Sequence, residues 1–128
     1  VLNKEMIKSM NEKPIVFAMA NPTPEIMPSE AYAAGAVVVG TGRSDFENQI
    51  NNVLAFPGIF RGLLDCRAPQ ITDEMKIAAS YAIASLVSSF QMGPEYILPD
   101  PLDKRISKAV ARAIVDSYRN NEKINNAN

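Results

Sequence analysis

The 128-residue chain contains no histidine, no tryptophan and one cysteine. Without histidine it lacks the commonest metal ligand and the one side chain that titrates near neutrality unperturbed, which excludes triad chemistry and zinc-dependent hydrolysis for this chain alone. The lone Cys66 excludes an intramolecular disulfide; at the end of an apolar helical stretch it reads as a small buried thiol and fits a cytoplasmic setting. Charge of one sign is also missing. Thirteen basic and 14 acidic residues leave a net charge of -1, no footprint for nucleic acid or an anionic membrane surface. No apolar run approaches the roughly 20 residues that span a bilayer. The chain opens on Val1, in what reads as the middle of an α/β alternation, so a fragment is expected, comprising residues 1–128 as a single domain or part of one.

What is present reads as alternating strand and helix. Leu2, Met6, Ile7 and Met10 have helical spacing, and Pro14 closes that segment. Ile15 to Ala20 is an uninterrupted apolar run and reads as a parallel strand buried on both faces. A short helix from Pro28 or Ser29 is expected to end at Gly35 as the left-handed residue, followed by a buried strand at Ala36 to Val39. Ser44 and Glu47 have capping-box spacing and predict a helix start, with Pro57-Gly58 breaking or kinking the helix. Thr72 or Asp73 caps a further helix that runs to Gly93-Pro94, with Met75, Ala79, Ala82, Ile83, Leu86, Val87 and Phe90 along it. Glu95 to Pro101 suits an extended loop. A last helix from about Leu102 to Arg119 has a charged, solvated stripe at Arg105, Lys108, Arg112, Asp116 and Arg119, and a polar, frayed tail follows.

The chemistry concentrates in amides. Asn48, Gln49, Asn51 and Asn52 fall within five positions, although Asn is a poor helix former because its side chain competes for backbone hydrogen bonds. On the expected helix Asn48, Asn51 and Asn52 share one face, able to bind a carboxylate without adding charge. Asn21 lies just past the first strand, where ligands of open α/β sheets sit. Gly40-Thr41-Gly42 has two glycines of a dinucleotide fingerprint, but Asp45 stands where the third belongs, so the segment reads as a tight turn and not a phosphate cradle. Tyr32, Tyr81, Tyr96 and Tyr118 read as packing residues. No lysine among Lys76, Lys104 and Lys108 pairs with an acid suited to proton transfer. Asp73 and Glu74 read as a cap and a solvated first turn beside Asp65. On residue chemistry alone, Asn21 starting an Asx turn and the other amides capping loops stay equally open.

Asn21-Pro22-Thr23-Pro24-Glu25, Gly40-Thr41-Gly42-Arg43-Ser44-Asp45 and the block Asn48 to Gly62 together resemble the carboxyl-terminal part of malic enzymes, the decarboxylating malate oxidoreductases, over about Pro14 to Arg119. The resemblance implies the distal part of a doubly wound, Rossmann-like parallel sheet with terminal helices. It implies that Asn21 contacts the nicotinamide end of NAD or NADP and that Asn51 or Asn52 holds malate. It implies a divalent metal (Mg or Mn), a catalytic tyrosine and lysine and the cofactor glycine loop, all supplied by preceding sequence, with no catalytic or metal-binding residue here. The remainder of the enzyme and further copies in a homo-oligomer are the implied partners. Two rival readings are a non-catalytic carboxylate- or nucleotide-binding module, and an oligomerisation segment that packs through Ile59 to Leu64 or the Ala-rich helix.

Overall fold

The computed structural model describes residues 2–126. They fall into two compact units. One runs to Asn51 and takes in Ser89–Leu98; the other comprises Asn52–Ser88 and continues from Pro99.

The first unit contains α1 (Lys4–Lys8), β1 (Ile15–Ala18), α2 (Pro28–Ala33) and β2 (Val38–Thr41). Asn3 caps α1 by accepting from the Met6 amide at 2.9 Å, and Pro28 occupies the first turn of α2, where its missing N–H costs nothing. Gly35, with φ of 109°, turns the chain out of α2. β1 and β2 are parallel with Ile15 opposite Val38 and Ala18 opposite Thr41. Two apolar runs separated by a short helix therefore do become a strand, helix, strand unit.

Three expectations for this unit need correction. β1 is not buried on both faces: Val16 and Ala18 join Ile7, Ile26, Ala31, Ala34, Ala36 and Val39 in the core, whereas Ile15 is 56% and Phe17 49% exposed. Ile15 and Phe17 instead line a shallow groove of about 310 Å³ with Leu2, Met6 and Met10. The second strand lies two residues later than expected and takes in Gly40 and Thr41. No helix starts at Ser44: residues 42–51 form a loop in which Asn48 adopts a left-handed φ of 52°. Tertiary partners for Asn48 outweigh the local capping box.

The second unit is helical. A 3-10 turn at Asn52–Leu54 leads into α3 (Phe56–Cys66), and α4 (Asp73–Ala84) and α5 (Arg105–Asn126) follow. Pro57 and Gly58 do not break a helix; they lie in the first turn of α3, where proline is tolerated. Gly58 and Gly62, one turn apart, let α3 approach α5 at backbone distance. A Cβ at Gly58 would fall 2.5 Å from Val110 Cβ, and one at Gly62 would fall 2.6 Å from Ile114 Cβ and 2.8 Å from the Ala111 carbonyl oxygen. α4 also packs on α5, burying Met75 and Ala79, and Thr72 caps it as expected.

α4 stops at Ser85 rather than at Gly93, so Val87 is buried beyond the helix and Phe90 lies out in solvent. α5 begins at Arg105, with Asp103 accepting from its amide, so Leu102 precedes it and is exposed. The tail expected to fray is helical through Asn126; residues 127–128 lie outside the described residues. Cys66 is half-buried rather than buried, its Sγ 3.7 Å from the Leu63 carbonyl. Tyr81, 74% exposed, is not a packing residue. No helix among the described residues is long and apolar enough to cross a membrane.

Candidate functional site

The carboxyl ends of β1 and β2 carry the candidate residues of the first unit. Asn21 follows β1 and is exposed, and its peptide bond to Pro22 is cis. The turn that carries it is tied back by Glu25, whose Oε2 accepts from the Ala20 amide at 3.0 Å. That bond holds the Glu25 carboxyl below its ordinary pKa, because it stabilises the ionised form. Gly42, immediately after β2, accommodates Asn21: a Cβ at position 42 would lie 3.0 Å from both Nδ2 and Oδ1 of Asn21. The glycine here serves close approach of a side-chain amide, which explains a Gly-Thr-Gly segment without a phosphate. No helix starts here, so the helix N-terminus that a phosphate cradle requires is missing. Asp45 is paired with Arg43 at 2.6 Å, which holds the Asp45 carboxyl below its usual range, and the Arg43 guanidinium stacks over Phe46.

The amide-rich segment then returns to β2. Gln49 forms a parallel bridge with Thr41, with the Ile50 amide donating to the Thr41 carbonyl at 2.7 Å. The Gln49 side chain donates to the Gly42 carbonyl at 3.4 Å. Gly42 is thus the common neighbour of Asn21 and Gln49, and Asn51 follows two residues on, half-buried. The structure brings Asn21 and the start of the amide run together at the ends of two adjacent parallel strands. Asn52 opens the 3-10 turn of the second unit and is exposed. Asn48, Asn51 and Asn52 do not share a helical face, because no helix forms through them.

Asn48 turns out to be the internal amide. It is 6% exposed, and its Nδ2 donates to the carbonyls of Val39 (3.0 Å) and Pro94 (2.8 Å). Its Oδ1 accepts from the Ile97 amide at 2.9 Å. The sequence signal was the poor helix propensity of the cluster; what escaped sequence reasoning was that one of the amides is consumed internally.

Among the described residues, no group of three or more His, Cys, Asp and Glu side chains converges to hold a metal ion. Asp65 pairs with Arg61 and Asp73 with Lys76 on exposed helix faces.

Residues 1–118 match the family described as malic enzyme, NAD binding domain. The chain belongs to the malic enzyme family. It is 66% identical over 113 residues to the bifunctional malic/malolactic enzyme of Bacillus subtilis, a match covering 88% of this chain and 28% of that protein. It is 52% identical to the NAD-dependent malic enzyme of Geobacillus stearothermophilus, covering 93% of this chain and 25% of the relative. The crystal structure of malic enzyme from Pyrococcus horikoshii superposes with a TM-score of 0.87 at 52% identity, over 93% of this chain and 27% of that one. The fold class is therefore α/β and Rossmann-like, as the family resemblance implied. The chain spans little more than a quarter of the length of these malic enzymes.

Proposed function

We propose that this chain is the distal part of the dinucleotide-binding domain of a malic enzyme, contributing the later strands and terminal helices of a doubly wound sheet. The complete enzyme converts malate and NAD or NADP to pyruvate, carbon dioxide and the reduced cofactor. Asn21 meets the nicotinamide end of the cofactor, and Asn51 or Asn52 holds malate. The observation that carries this reading is the convergence of Asn21 and the Gln49 segment on Gly42, at the carboxyl ends of β1 and β2, where open α/β sheets bind ligands.

The chemistry of an amide suits the task. Asn donates and accepts hydrogen bonds without charge, so it can orient a dicarboxylate without neutralising the carboxylate that must leave as carbon dioxide. A bound nicotinamide dinucleotide would supply the hydride acceptor for C2 of malate. The chain's own residues orient the two reactants, and a small error in that orientation costs rate steeply. No metal step is assigned to this chain, since no ligand group for an ion converges among the described residues. The acid, base and metal ligands belong to the remainder of the enzyme, in a cytoplasmic setting.

Replacing Asn51 and Asn52 singly by Ala in the full-length enzyme tests the substrate contact. At least one variant should raise the KM for malate by about tenfold or more, the cost of leaving a buried polar partner unpaired, and the Asp variant of that residue should be worse because it repels a dicarboxylate. Asn21→Ala should act chiefly on the KM for the dinucleotide. Unchanged constants in all three would sink the assignment.

A second element of the proposal is homo-oligomerisation. Phe56 and Phe60 stack at 5.9 Å on α3 and continue into Leu64, which is 77% exposed, an apolar ridge that suits a subunit contact. Leu64→Asp in the full-length enzyme should shift its mass in solution toward the monomer.

A further inference from the structure

We propose that Asn48 is a positioning residue for the substrate amide Asn51, acting as a staple that fixes where the amide-bearing loop leaves β2. The inference rests on the substrate reading above and adds a residue that makes no contact with substrate.

Three independent features of Asn48 converge. Its φ of 52° lies in the left-handed region, where Asn and Gly are tolerated far better than other residues. Its side chain spends two donors and an acceptor on three backbone groups: the Val39 carbonyl in β2 and, 46 and 49 positions along the chain, the Pro94 carbonyl and Ile97 amide. It is buried, so these bonds form away from water, where losing a partner costs most. Its own carbonyl crowds Gly40 as well; a Cβ at position 40 would lie 3.1 Å from that oxygen.

The consequence falls on the next three residues. Gln49 and Ile50 are held to Thr41 by the bridge and its 2.7 Å hydrogen bond, so Asn48 to Ile50 form a clamped segment that delivers Asn51. Few other side chains fit the role. Asp has the φ tolerance but would set a carboxylate against two carbonyls, Gly keeps the φ and loses all three bonds, and Ala loses both.

The test compares Asn48→Gly, Asn48→Ala and Asn48→Ser with Asn51→Ala and Asn52→Ala in the full-length enzyme, following kcat, the KM for malate and the melting temperature. Asn48→Gly should raise the malate KM by about tenfold while the enzyme still melts cooperatively. Asn48→Ala should match it in KM and melt lower, because it adds backbone strain. Asn48→Ser, which keeps a donor and an acceptor, should recover part of the KM, and it decides the question if Gly and Ala fail to fold. A lowered melting temperature with wild-type malate KM and kcat would overturn positioning and leave Asn48 a purely structural residue. A wild-type malate KM in Asn51→Ala would instead overturn the proposal, and a wild-type malate KM in both Asn51→Ala and Asn52→Ala would overturn the substrate reading as well.

Discussion

Each of the two units is stabilised internally by different means. In the helical unit the decisive contacts are apolar and made at backbone distance: Gly58 and Gly62 admit Val110, Ala111 and Ile114 of α5 to positions a Cβ would occupy. In the sheet-containing unit, a small core of Ile, Val and Ala is supplemented by polar side chains that tie loops to strands: Asn48 to β2 and to 94–97, and Glu25 to Ala20. The difference follows from what each carries. Interdigitated helices resist distortion because packed interiors have no slack. Loops past strand ends have little apolar surface to bury, so their geometry must be imposed by specific hydrogen bonds, and those are the loops that bear the candidate amides.

The comparison breaks most visibly at Gly62. Gly62→Val places methyl groups where the α5 backbone already sits, and overpacking of this kind should cost about 3 kcal/mol, exceeding the gain in helix propensity. The measurement is urea unfolding of the enzyme followed by circular dichroism. A variant as stable as the parent would show that α3 and α5 can move apart freely and that the close approach is incidental.

A smaller effect is expected at Thr72, whose hydroxyl accepts from the Met75 amide at 3.3 Å. Thr72→Ala should cost about 1 kcal/mol by leaving that donor uncapped. Malate KM should not change. A cost close to that of Gly62→Val would mean that the helical unit also depends on polar latches, and the contrast drawn above would fail.

The smallest effect is at Glu25 and depends on pH. Its carboxyl titrates below the ordinary 4.5 because the Ala20 amide stabilises the charge. The unfolded chain therefore binds the proton first. The latch contributes fully above the unfolded value and is lost as pH falls through the lower folded one. Glu25→Gln should lower the melting temperature slightly at neutrality, where the ionised latch is fully present, and flatten part of its decline below about pH 4.5. An unaltered acid limb of the stability profile would show that the Asn21 turn holds without an ionised Glu25.

Much of the secondary structure was legible because its causes are local. Pro28, Gly35 and Thr72 act within one turn of where they stand, and their helices appear where those signals place them. The capping box at Ser44 was an equally good local signal and failed, since the loop that replaces it is secured by partners on β2 and near position 95. The early end of α4 and the late start of α5 have the same character: a periodic apolar pattern continues past the residues that a helix contains.

By itself, then, the sequence determined the alternation of strand and helix, the cap at Thr72 and the turn at Gly35, the absence of histidine and with it a range of chemistries, and the concentration of neutral amides in two short segments. It also identified the family, because a block such as Asn48 to Gly62 is too long and too particular to arise from general fold requirements. Only the tertiary structure decided that Asn48 is internal, that Ile15 and Phe17 of β1 are exposed in this chain, and that Gly58 and Gly62 serve a helix contact. The physical reason is range. Propensity and capping act over a few residues, whereas the groups that hold Asn48 lie 46 and 49 positions away, and the Cβ-sized gap at Gly62 has meaning only once Ile114 is packed against it.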